Sequence, residues 1–228
     1  MNTSLTLMLS LLGGVLPALL WLWFWRKEDR FHPEPRERVA VVFLVGMLAV
    51  LLVLPLEKLI FAMVGKNLSL LAITLWATAE EIFKFVAIYW IAFKSRDMDE
   101  PIDASFYMIT GALGFSALEN TFFLWNLIGD GLLTQSIITS NMRFLGATLL
   151  HTASSATIGI LYGLAFYRKK HAKRVALVLG LGVAIVLHTI FNLLIINSKE
   201  NIFFVFAGIW VVITLLMVAM EKVKKVHS

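Results

Sequence analysis

The chain contains no cysteine, which excludes disulfides, a thiolate nucleophile and any cysteine-bound metal, and leaves no trace of a redox compartment. Charge is also scarce. Asp, Glu, Lys and Arg make up 15% of the 228 residues, where a soluble domain carries about 25%. There is no HExxH stretch, so the common helical zinc-protease signature is missing. No long polar segment remains for a separate soluble catalytic or receptor domain, and residues 1–228 read as one integral membrane domain. Internal repeats are not evident, so an inverted-repeat transporter gains no support.

What is abundant is apolar. Hydrophobic residues make up 59% of the chain and the mean hydropathy is +0.83. The apolar runs recur and reach spanning length. They predict an all-α transmembrane bundle of about seven spans, near residues 4–25, 39–56, 68–93, 104–127, 138–167, 175–196 and 201–220. The third and fifth are long enough to tilt or to extend beyond the bilayer. The second is short and carries Pro55 at its end. The first lacks the charged start of a signal peptide and is too long for one.

The net charge of +5 does not point to nucleic acid, because the basic residues lie in short loops between spans. Alternate segments hold fifteen of the twenty Lys and Arg residues: the loop 26–38, the loop 94–103, the loop 168–174 and the tail from 221. The opposite segments hold Lys58, Lys66 and Lys199. This bias places the N-terminus outside and the C-terminus in the cytoplasm of a multi-pass cell-membrane protein surrounded by lipid.

Seven ionisable groups fall inside the spans: Glu80, Glu81, Lys84, Glu119, Arg143, His151 and His188. Such groups are costly in lipid and mark function by default. Each also has a plainer reading. Lys84 follows Glu80 by four residues, so the two share a helix face and are expected to pair. Arg143 lies near the outer end of its span and reads as a snorkelling side chain. Each histidine alone reads as a satisfied core residue. Depth favours a common site. At a rise of 1.5 Å per residue, Glu80 and His151 lie about 18–20 Å down their helices, and Glu119 and His188 about 12 Å below their outer ends. Four helices thus bring polar groups to the middle and outer half of the membrane.

The neighbours fit such a site. Asn120 stands beside Glu119. Thr148 and Ser155 share a face with His151, and Ser155, Gly159 and Gly163 form a ladder of small residues for close packing. His188 and Asn192 are four apart on one face. Two adjacent glutamates lie about 100° apart on a helix and border one cavity without meeting at a point. Burial beside a second carboxylate makes a glutamate a proton acceptor at neutral pH, and Lys84 keeps one of the pair ionised. A water held by Glu80 or Glu81 then attacks a peptide carbonyl. His151, His188 or Asn192 stabilises the oxyanion, and a histidine protonates the leaving amine. Ser154 and Ser155 lack the context of a nucleophile and read as packing residues. Zinc is the competing activator, since histidine and glutamate are its ligand types. Without HExxH, and with ligands spread over four helices, glutamate activation with no cofactor is the expected mechanism. A proton-coupled transporter would use the same residues as a relay, along a path reaching both faces. A scaffold without turnover would keep only the packing.

The residues also carry a resemblance. EEIFK at 80–84 resembles the EExxK motif of the PrsW-type intramembrane proteases. FSALEN at 115–120 is similar to their FxxxEN motif, and His151 and HTIFN at 188–192 resemble their later histidine motifs. The likeness runs from the first span and the Glu34–Pro35 loop to the sixth span. This family is related to the CAAX-processing and bacteriocin-immunity membrane proteases, whose motif usually ends in arginine where Lys84 stands. Its members are described as glutamic-type or as metal-dependent peptidases. The resemblance implies that Glu80 and Glu81 are catalytic, with Glu119, His151 and His188 in the site. It also implies an outward-facing first cut in a single-span anti-sigma factor.

Overall fold

The computed structural model describes residues 2–27, 32–64, 69–197 and 202–227. Arg30, Lys66 and Lys199, and the expected span starts at 68 and 201, lie outside the described residues. The fold is all-α. Its helices are α1 (Thr3–Trp25), α2 (Arg36–Val64), α3 (Leu70–Ile88), α4 (Asp103–Gly129), α5 (Leu133–Leu145), α6 (Ala147–Leu164), α7 (Lys170–Asn197) and α8 (Ile202–Val223). A π-helical turn, Tyr89–Phe93, continues α3. Side-chain caps start two of the helices. Asn2 accepts from Ser4 N at 3.2 Å, and Ser69 from Ala72 N at 3.2 Å, each satisfying a first-turn donor.

Five helical stretches among the described residues are long and apolar enough to cross a membrane: α1, α2, α5 together with α6, α7 and α8. The chain is therefore a polytopic membrane bundle. α3 falls short of that measure because it carries Glu80, Glu81 and Lys84 within 19 residues.

Two expected boundaries are corrected. The second span does not end near Pro55. α2 runs through that proline to Val64, and Ile60 beyond it is buried. Proline removes one intrahelical hydrogen bond, a loss that membrane helices tolerate more readily than soluble ones. The fifth span is two helices meeting at Gly146, whose backbone (φ −119, ψ −73) departs from helix. Phe206 of α8 fills the space beside it, so that a Cβ on Gly146 would lie 2.3 Å from the ring.

α4 is the hub, packing against α1, α2 and α6. Every residue from Asp103 to Ala117 is buried. Lipid offers no hydrophobic drive for helix association, so contact depends on close fit, which small residues allow. The α2–α4 crossing shows it: a Cβ on Gly114 would stand 1.9 Å from the Phe43 carbonyl oxygen, and one on Gly46 2.0 Å from that of Gly111. The small-residue ladder of α6 meets α4 in the same way at Gly159, against Ala104 and Ser105. Large apolar side chains face outward on the rim, such as Val178 at 71% exposure and Phe203 at 84%. In water these would be a liability, and in a bilayer they are the solvent contact. The inner face is left to the small and polar residues that build the site.

Candidate active site

Glu80, Glu81 and Lys84 sit on the buried face of α3, and all three are buried. Lys84 pairs with Glu81, not with Glu80 as the four-residue spacing suggested. Its Nζ lies 2.5 Å from Glu81 Oε1. Both spacings are sterically open on a helix. The neighbours decide: Ser155 of α6 donates to Glu81 Oε2 at 3.1 Å, and His188 Nδ1 of α7 lies 2.8 Å from Glu81 Oε1. Both oxygens of Glu81 are thereby engaged. Ser155 is thus a hydrogen-bond donor to the site as well as a packing residue, whereas the Ser154 hydroxyl is buried without a partner.

His151 of α6 connects the two halves. Its Nδ1 is 3.1 Å from Lys84 Nζ, and its Nε2 is 2.9 Å from Glu119 Oε2 on α4. An ammonium only donates, so Nδ1 is the acceptor and Nε2 carries the proton given to Glu119. For His188, the carboxylate of Glu81 takes Nδ1–H, which leaves the Nε2 lone pair free. The two rings meet edge to face with centroids 5.0 Å apart.

Arg143 does not snorkel. Its Nη2 lies 2.7 Å from Glu119 Oε2, its Nε donates to Asn120 Oδ1, and its guanidinium stacks 3.9 Å over the Phe123 ring. The break at Gly146 turns α5 so that this arginine faces α4. Asn120 also donates to Ser116 and Thr148, which hydrogen-bond each other at 3.0 Å. Asn192 lies one turn beyond His188, half-buried, and makes no hydrogen bond to this network.

Glu80 is the exception in a well-paired cluster. Its Oε2 is buried with no hydrogen-bond partner. It lies 3.7 Å from His151 Nδ1 and 3.6 Å from His188 Nε2. The donor atoms of Glu80, His151 and His188 all fall within 4.8 Å of one another. A zinc-sized ion about 2.0–2.2 Å from three donors sets them roughly 3.3–3.6 Å apart in tetrahedral geometry. The residues therefore fit a three-ligand divalent site. The outer nitrogens fit too. His151 gives Nε2–H to Glu119 and His188 gives Nδ1–H to Glu81, the carboxylate backing that orients metal-binding histidines. Lys84 opposes the fit at one point, because an ion would take the His151 Nδ1 lone pair that it holds. Its bond to Glu81 remains.

The cluster abuts a cavity of about 240 Å³ lined by Glu57, Glu119, Asn126, Phe115 and Phe122, among others. Phe115 also packs on His151, with ring centroids 5.4 Å apart. Glu57 escaped the sequence reading because Pro55 had been taken as the end of its helix. The extended α2 carries it to the cavity wall, within hydrogen-bonding reach of the Glu80 side chain.

Buried carboxylates and histidines from α3, α4, α6 and α7, converging in a polytopic bundle beside a mostly apolar cavity that Glu57, Glu119 and Asn126 enter, fit a membrane-embedded enzyme of the hydrolytic class. The family follows from comparison. Residues 34–220 match the family described as PrsW family intramembrane metalloprotease, and the chain belongs to that family. It is a multi-pass membrane peptidase. The Protease PrsW of Halalkalibacterium halodurans is 29% identical over 95% of this chain and 97% of its own length. That of Geobacillus kaustophilus is 28% identical over 72% of this chain and 70% of its own, and that of Shouchella clausii 24% over 94% and 95%. No solved structure matches the chain.

The arginine gives a first prediction. Arg143→Met frees Glu119, and through it the His151 ring. Loss of such an outer partner lowers metal affinity or turnover by roughly 10- to 100-fold. Arg143→Lys is expected to restore part of this, keeping the charge but losing the fork to Asn120. Metal titration and cleavage rates of both variants check it. Equal metal affinity in Arg143→Met and wild type would detach Arg143 from the site.

Proposed function

We propose that this protein is a metal-dependent intramembrane endopeptidase that cuts a single-span membrane protein. The carrying observation is the convergence of Glu80 Oε2, His151 Nδ1 and His188 Nε2, each histidine backed by its own carboxylate. This favours the metal-dependent alternative over activation by glutamate alone. Glu81 was a leading water-holder in that reading, and both of its oxygens are taken.

A divalent ion bound there supplies Lewis-acid polarisation and a nucleophilic water at neutral pH. The chain's own residues do the rest. Glu80, His151 and His188 would hold the ion. Glu81 and Glu119 fix the imidazole tautomers by accepting Nδ1–H and Nε2–H. Lys84 and Arg143 balance those two carboxylates and would leave them to orient the imidazoles. The cavity beside Phe115 and Glu119 admits water and an extended peptide segment. The bundle spans the membrane seven times in this reading, with α3 and α4 as polar inner spans and the N-terminus outside. The substrate class is a single-span protein, and an anti-sigma factor cut on its outer side is the specific candidate that the family suggests.

The test is metal analysis of active detergent-purified protein, with cleavage of a single-span substrate before and after chelation. Near-stoichiometric metal, loss of cleavage on its removal and return on its restoration are expected. Full activity at a small fraction of metal per chain would return the water to glutamate. Because there is no native cysteine, single-cysteine labelling reads the topology directly. Labelling of residues 128–137 from the cytoplasmic side would overturn the orientation.

A further inference from the structure

We propose that Glu57 is a specificity-determining residue, selecting substrate segments that carry a lysine or arginine side chain close to the cleaved bond. The inference rests on the endopeptidase reading and adds a substrate feature to it.

Glu57 stands on the wall of the cavity that adjoins the catalytic cluster. The shared wall makes the connection. Glu119 lines this cavity and bonds His151 Nε2, and Phe115 lines it and packs on the His151 ring. A peptide segment threaded to the cluster through this cavity passes Glu57.

The position is rigid. The Trp76 indole N–H donates to the Glu57 carbonyl oxygen at 3.2 Å, and Trp76 stacks on Phe61 one turn further along α2. This joins α2 to α3 at that turn. A side chain on a pinned helix discriminates better than one on a loop.

Charge gives the chemistry. Glu81 is balanced by Lys84, and Glu119 by Arg143. Glu57 forms no ion pair among the described residues: its side chain meets that of Glu80, a second carboxyl group, and its neighbour Lys58 is exposed. Two adjoining carboxyl groups with no lysine or arginine partner, in a half-buried cavity, attract a cation more strongly than they would in open water. The walls favour the same partner. Phe122 and Phe123 line the cavity, and Phe123 already carries the Arg143 guanidinium on its face. A carboxylate beside aromatic faces takes the charged head and the aliphatic stem of Arg or Lys together.

The experiment uses full-length, metal-loaded protein in detergent and a single-span substrate that the wild type cuts. Residues within five positions of the cut are replaced one at a time by Arg, Gln or Glu. At one position Arg is expected to give about tenfold higher kcat/KM than Gln, the scale of one hydrogen bond to a charged group, with Glu the poorest. The effect is expected in KM. Glu57→Gln, nearly the same shape, is expected to narrow that preference to less than about twofold, and Glu57→Lys to reverse it in favour of Glu. Metal content is measured alongside, because Glu57 also touches the Glu80 side chain, and rates are compared per metal-loaded protein. If the wild type cuts all substrates alike, the assignment falls and the endopeptidase reading stands. A Glu57→Gln enzyme slowed on every substrate with its charge preference intact also overturns it, making Glu57 a proton-handling group instead. If the metal-loaded wild type cuts no single-span protein from which such a set can be built, the endopeptidase reading falls and this assignment with it.

Discussion

Glu80→Gln and His188→Ala proteins are expected to insert and fold, and to lose peptide cleavage by about 10³-fold or more, the scale at which loss of one member of a catalytic unit registers. The two changes act on different atoms of one cluster. Glu80 Oε2 and His188 Nε2 are 3.6 Å apart, and Glu80 Oε2 has no hydrogen-bond partner in the protein. Removing either leaves two donors where three converged. The bound ion is therefore expected to be lost or greatly weakened in both variants. Folding is spared for a physical reason. Glu80 Oε2 makes no hydrogen bond that the fold depends on, and glutamine fills the same volume. His188→Ala does remove a donor from Glu81, but Lys84 and Ser155 still hold that carboxylate. Metal content and cleavage rate measured on the same preparations decide the matter. Tight metal binding in both variants would move the ion elsewhere, and unchanged cleavage would remove Glu80 and His188 from the chemistry altogether.

Much of this site was legible because lipid makes charge conspicuous. A glutamate pair, a lysine and two histidines inside apolar runs had to meet one another, and α3, α4, α6 and α7 bring them together. What stayed hidden depends on tertiary contact. Glu80 and Glu81 stand equally well placed for Lys84 on a bare helix. The choice falls to Glu81 because Ser155 and His188 approach it from two other helices. Arg143 looked like a helix-end cation because α5 and α6 read as one continuous span. The turn at Gly146 packs against Phe206 of α8, some sixty residues downstream, a contact no local pattern announces. Glu57 was lost to the rule that proline ends a helix. That rule reflects the missing N–H and the ring's clash with the carbonyl one turn back, and it weakens in a membrane, where ending the helix would leave far more backbone unpaired in lipid than one lost hydrogen bond. The one local sign was Trp76, whose indole needs an acceptor and finds the Glu57 carbonyl.

Lys84→Met is expected to be the most destabilising single change in the site. Lys84 is fully buried, and its ammonium holds Glu81 at 2.5 Å while also touching His151 Nδ1. Methionine matches the stem but leaves the Glu81 carboxylate buried without its counter-charge. Removing one partner of a buried ion pair costs about 3–5 kcal/mol, a large share of the roughly 5–15 kcal/mol that holds a typical domain. The decisive comparison is with Glu81→Gln/Lys84→Met. The amide carries no charge; its oxygen accepts from His188, and its NH2 group donates to the Ser155 hydroxyl, which rotates to accept. The double variant is therefore expected to recover most of the lost stability, giving a coupling of about 2 kcal/mol or more in the cycle, near the upper range for residues in contact. Cleavage is not expected to return with it, because His188 then lacks the carboxylate that fixes its tautomer. Thermal unfolding in detergent for the four proteins of the cycle, with cleavage assayed in parallel, separates the two effects. Additive stabilities would show that Lys84 and Glu81 are neighbours without being partners. A double variant that both folds and cleaves would show that the pair serves the fold alone.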